Sequence, residues 1–149
     1  MPRFEALTRQ GNSLLEVAQS RAGEEADAFL KAACATYSEA LRLKPDVAEA
    51  RLGLGCARLV LAGRTSDGAE RRKLLRLARE ALLCAERLGA KAAAYNLACG
   101  AALAGDHGGC RMWLERCRQG EQLPPGEQLR ADPDLAPMRG ESWFAALLA

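Results

Sequence analysis

Apolar residues recur at three- and four-residue steps along most of this chain. Over residues 74–88 they fall at Leu74, Leu75, Leu77, Ala78, Ala81, Leu82, Ala85 and Leu88. That spacing lines one side of an α-helix. The pattern is interrupted at Gly23, at Lys44-Pro45-Asp46, across 63–68, at Gly89, at Gly105-Asp106 and across 123–126, where glycine and proline stop a helix. The interruptions predict six helices joined by short connections, arranged as successive helical hairpins.

The hairpins resemble one another. Their second helices align as Ala33-x-x-x-Tyr37-x-x-Ala40, Ala78-x-x-x-Leu82-x-x-Ala85 and Cys110-x-x-x-Leu114-x-x-Cys117. Their first helices align on a small residue, Gly11, Gly55 or Ala98, preceded in the last two by Leu54 or Leu97. Two antiparallel helices approach closely only where one side chain is tiny and a larger neighbour fills the space beside it.

This order of small and large positions resembles the tetratricopeptide repeat, with Gly105-Asp106 at the turn of the third unit. Residues 91–149 also resemble the ending of bacterial tetratricopeptide proteins, through Tyr95-Asn96-Leu97-Ala98-Cys99, the Gly-Asp turn, Trp113-Leu114-Glu115, the run from Asp132 to Arg139 and Trp143-Phe144. The resemblance implies a single all-α domain over 1–149. It would be a right-handed superhelical stack of three antiparallel helical hairpins (4–47, 48–90 and 91–124) with C-terminal capping helices over 125–149. Asp132 and Ser142 are the expected helix caps there. Two features depart from the family pattern. Leu7, Arg51 and Ala94 replace its first-helix aromatic. Gly11 to Ala33 spans 22 residues and Gly55 to Ala78 spans 23, against 12 from Ala98 to Cys110. The added residues fall around each inter-helix turn and, since 24–43 and 69–88 both read as helix, are expected to lengthen the helices by one or two turns at that end.

Composition agrees with helices: about half the residues are apolar and few are aromatic. The formal net charge of +2 is too small to call for nucleic acid. Charge is uneven, however. Residues 64–91 carry eight basic and four acidic side chains, and residues 121–149 carry two and five. No apolar run approaches the ~20 residues that span a bilayer. The N-terminus lacks the layout of a secretory signal, so a cytoplasmic protein is expected, and the resemblance over 91–149 implies a bacterial one. The six cysteines, 34, 56, 84, 99, 110 and 117, sit within helical apolar patterns and include no C-x-x-C. They read as free thiols that pack as small apolar residues.

Catalytic chemistry finds little support, and the chain is expected not to be an enzyme. His107 and Cys110 are three residues apart, but Cys110 holds an inward-facing position. A thiolate nucleophile needs its base within hydrogen-bond reach. Asp132 and Asp134 read as a helix cap rather than metal ligands. No cofactor, metal or small-molecule substrate is expected. The implied function is binding of a protein or peptide partner by a scaffold or adaptor. Its groove would be lined by Thr8, Asn12 and Leu15, by Leu52, Cys56 and Leu59, and by Tyr95, Cys99 and Leu103. Only Asn12 is of the type used by tetratricopeptide grooves that clamp a peptide carboxylate. Arg72, Arg76 and Arg79 share a helix face, either solvated or serving to dock an acidic partner. Nucleic acid is disfavoured because no aromatics interleave with these charges. Self-association is left open. The alternatives are a small chaperone for a secreted or membrane-inserting client and, behind it, a thiol- or metal-dependent enzyme.

Overall fold

Two long helical hairpins followed by a short one, with no strand anywhere, make up the computed structural model, which describes residues 1–149. Helix α1 (Arg3–Gln19) pairs with α2 (Gly23–Leu43), α3 (Ala48–Arg64) with α4 (Gly68–Arg87), and α5 (Ala93–Leu103) with α6 (His107–Gln119). A 6-residue helix α7 (Gly126–Ala131), a 3-10 helix (Pro133–Met138) and α8 (Ser142–Leu148) follow. The all-helical hairpin architecture expected from the periodicity is therefore present. The anticipated lengthening falls on both helices of the first two hairpins: α1 and α3 have 17 residues each against 11 in α5, and α2 and α4 have 21 and 20 against 13 in α6. Two compact units divide the chain, residues 1–90 and 91–149.

The first unit is built around Tyr37. Its ring is fully buried, and a Cβ placed on Gly11 of α1 would lie 2.7 Å from it. Gly53 of α3 presses on the same ring, so Tyr37 rests against glycines from two other helices. One hairpin later Gly55 meets Leu82, 2.5 Å from where its Cβ would stand. The small-against-large alignment thus reports real helix contacts. Gly53 was not part of it, because its partner belongs to the preceding hairpin. Asp67 starts α4 by accepting hydrogen bonds from the backbone N–H of Ala69 (2.9 Å) and Glu70 (3.3 Å), which are otherwise unpaired donors of the first turn.

In the second unit α5 ends at Gly105, whose φ of +78° is the left-handed conformation that closes a helix. Asp106 then caps α6 by accepting from Gly109 N–H at 2.9 Å. The core joins Ala98, Cys110 and Leu114 of the hairpin to Leu129, Leu135, Met138 and Phe144 of the C-terminal segment. Trp143 packs edge-on to Phe144, with ring centroids 5.8 Å apart. Asp132 caps the 3-10 helix as expected, accepting from Asp134 N–H at 3.0 Å. Ser142 does not cap α8: the N-cap residue is Glu141 and no side-chain cap bond forms.

Candidate partner-binding faces

Asn12 joins three helices. Its side-chain oxygen accepts a hydrogen bond from the Tyr37 hydroxyl (2.6 Å), and its amide nitrogen donates to Glu49 Oε1 (2.8 Å). The packing of Tyr37 between two glycines is what brings that hydroxyl to α1. Beyond this bridge Leu52 and Cys56 follow Glu49 by three and seven positions, so they continue along the same side of α3. Both are half-buried, and Val60, four positions further on, is 39% exposed. On α1, Glu5, Arg9 and Glu16 are exposed at helical spacing with Asn12. A small cleft of about 200 Å³ lies among Glu5, Thr8, Arg9, Val47 and Glu49. The α1/α3 face therefore offers a half-exposed apolar strip beside three carboxylates and one guanidinium. Two of its expected members turn inward: Thr8 is buried with its hydroxyl bonded to Phe4 C=O (2.8 Å), and Leu59 is buried. Leu15 packs against the Tyr37 core. Burial pushes the Cys56 thiol up to about 11, so this cysteine is not an activated nucleophile.

The corresponding side of α5 is covered by the chain's own C-terminal segment. The Tyr95 hydroxyl donates to Asp132 Oδ2 at 2.5 Å, and the Cys99 thiol approaches the same oxygen at 3.8 Å. Cys99 is only 3% exposed, and Leu103 is half-buried at the end of the helix. Burial first, then the charges of Asp132 and Asp134, hold the Cys99 thiol far above its ordinary value. Burial and the neighbouring Asp132 also raise the Asp134 carboxyl. Ligand atoms of Cys99, Asp132 and Asp134 come within 4.8 Å of one another. Asp132 already uses one oxygen for Tyr95 and Cys99 and the other for Asp134 N–H, so the cluster acts as the pin between hairpin and cap.

The remaining candidates separate. His107 is exposed, with Nδ1 2.6 Å from Glu141 Oε1. Cys110 points into the core, and burial, Asp106 and Cys117 push its thiol up to about 12. The two do not form a thiolate–imidazole pair. Arg72, Arg76 and Arg79 are exposed on α4 and make no ion pair. Their neighbour Arg71 turns back to donate to Ala62 C=O at 3.1 Å. A further cleft of about 560 Å³, absent from the sequence reading, opens among α2, α3 and α4 and is lined in part by Lys31, Cys34, Arg58 and Leu74. Its residues are scattered over 27–74 and form no motif. The signal for it was the unexplained extra length of α2 and α4.

Residues 3–103 match the family described as the plant-specific mitochondrial import receptor subunit TOM20. The chain belongs to that family. No curated protein and no solved structure matches the chain. The match corrects the resemblance drawn above: the family found is a plant receptor family, not a tetratricopeptide one, and a bacterial origin falls with it. The physical reason is that small-against-large spacing marks any close pair of antiparallel helices, so it identified the hairpins and not their lineage. The cytoplasmic placement and the chaperone description are corrected too, because the family is mitochondrial and its members are receptor subunits. No helix is long and apolar enough to cross a membrane, but that fact does not assign a compartment. Membership in a receptor family agrees with protein binding as the general role.

Proposed function

We propose that this chain is a receptor subunit that binds proteins bound for import into mitochondria, and that its cargo docks along the α1/α3 face. The family match carries this reading, since residues 3–103 include both hairpins of the first unit. The chemistry of the face supports it. Leu52, Cys56 and Val60 offer apolar contact, while Glu5, Glu16 and Glu49 offer negative charge around them. Such a face suits a helical segment with an apolar side and flanking cations. The raised thiols and the separated His107 and Cys110 give no support to a catalytic role.

The test is retention of a mitochondrial precursor, with and without its targeting segment, on the immobilised chain. The precursor is retained and the trimmed form is not. Leu52→Asp, at a half-exposed position, weakens retention roughly tenfold with little change in melting temperature. Equal retention of both precursor forms would refute the reading. Loss of retention on neutralising Arg72, Arg76 and Arg79, with Leu52→Asp unaffected, would move the docking surface to α4.

A further inference from the structure

The extra turns of α2 and α4 have a structural product. Asp27 and Lys31 stand in the first turns of α2, Glu70 and Leu74 in those of α4, and both pairs line the 560 Å³ cleft with the end of α3. Lys31 and Cys34 are three positions apart and share a side of α2. Arg58 of α3 lines the same cleft, near enough to Cys34 for its charge to oppose the rise that burial causes in the thiol. Arg58 stands two residues past Cys56, hence on nearly the opposite side of α3 from the cargo face.

The cations in this cleft differ in their partners. Arg64 is neutralised: Nε lies 2.5 Å from Asp27 Oδ1, and Nη2 donates to Gly23 C=O at 2.9 Å. Arg58 is half-buried and gives one N–H to Leu77 C=O at 3.1 Å, with no carboxylate in ion-pairing distance. Desolvation disfavours its charged form. Lys31 is exposed and likewise unpaired with any acid. A guanidinium taken partly out of water with most of its N–H donors unused is held at a cost, and a carboxylate is the group that fits its planar fork.

We propose that this cleft is a second binding site, which takes an acidic peptide segment by holding a carboxylate between Arg58 and Lys31 and seating the adjoining apolar side chain on Leu61 and Leu74. The apolar floor separates a peptide from a free inorganic anion, which gains nothing from leucine. The lining contains no aromatic ring on which a nucleic-acid base would stack. Asp27 and Glu70 at the same cleft oppose a broad anionic surface, but Asp27 is already paired with Arg64, which leaves Arg58 and Lys31 as cations with no acid partner to take a single carboxylate. The site lies apart from the α1/α3 face and selects the opposite charge, so it goes beyond the receptor reading and stands or falls without it.

The test uses the full chain and three probes: an acetylated Leu-Glu-Leu-Asp peptide, its uncharged Leu-Gln-Leu-Asn amide, and inorganic phosphate. Backbone NMR shifts report the site, and iodoacetamide alkylation of Cys34, followed by mass spectrometry, reports its occupation. The acidic peptide is expected to move signals around 31–34, 58–61 and 74 and to slow Cys34 alkylation, leaving Cys56 unchanged. Arg58→Gln and Lys31→Gln each weaken the peptide roughly tenfold, the loss of one charge-assisted contact, while precursor retention on the α1/α3 face persists. Should Arg58→Gln fail to fold, exposed Lys31→Gln carries the test. No shift with about 5 mM acidic peptide, equal binding of the neutral peptide or of phosphate, or undiminished binding in Lys31→Gln would each overturn the proposal.

Discussion

Leu52 and Cys56 on α3 hold the same hairpin positions as Tyr95 and Cys99 on α5, yet the two pairs meet different surroundings. On α3 they flank the Asn12–Glu49 bridge and stay half-exposed. On α5 the returning chain places Asp132 over them, and one carboxylate takes the Tyr95 hydroxyl, the Cys99 thiol and the Asp134 N–H together. The difference teaches that hairpin position sets the direction of a side chain, whereas later chain decides whether that direction leads to a partner or to the interior. Segment 125–149 can cover α5 because its buried leucines, Met138 and Phe144 complete a core that the short hairpin leaves open.

The comparison can be broken first at its cores. Tyr37→Ala removes the aromatic body held against Gly11 and Gly53, and a loss of about 3–5 kcal/mol in urea denaturation is expected. A loss near zero would mean that the glycine–tyrosine contact does not organise the first unit. Asp132→Ala should cost about 2–3 kcal/mol, since a part-buried hydroxyl, a buried thiol and a cap N–H lose their acceptor at once. It should also speed Cys99 alkylation, and an unchanged rate would show that Asp132 does not seal that side of α5. Taken one thiol at a time, the smallest expected effect is alkaline. Burial raises the thiols of Cys34, Cys56, Cys99 and Cys110 above their ordinary values. Because each folded value is the higher one, the associated stability is fully present below the unfolded thiol range. It is lost as pH rises toward the folded values, by at most about 1.4 kcal/mol per pH unit per thiol. Denaturation from pH 8 to 10.5 checks this. Cys56→Ala in the first unit and Cys99→Ala in the second should each flatten the decline.

Much of the hairpin plan was legible because helix periodicity and glycine punctuation are local. Gly11 and Tyr37 announced their contact through spacing within one hairpin, and Asp132 announced its cap through the following proline. Gly53 did not, because Tyr37 reaches it across hairpins. Helix α7 was hidden by Pro124-Pro125-Gly126, which reads as a loop although proline suits the entry to a helix. Tyr95 and Cys99 read as groove residues because no local pattern shows that Asp132, 37 positions beyond Tyr95, folds back onto them. Lys31 and Arg58 were illegible as a pair for the same reason: their cleft exists only once three helices are assembled. The lineage was misread because close helix packing imposes similar spacings on unrelated hairpins.

The most direct test of the open α3 face against the covered α5 face is an NMR titration of the labelled chain with a mitochondrial targeting peptide. The account predicts perturbations concentrated at residues 9–16 and 49–60, with Tyr95 and Cys99 unmoved. Perturbations centred on Tyr95 and Cys99, with Leu52 and Cys56 silent, would contradict it.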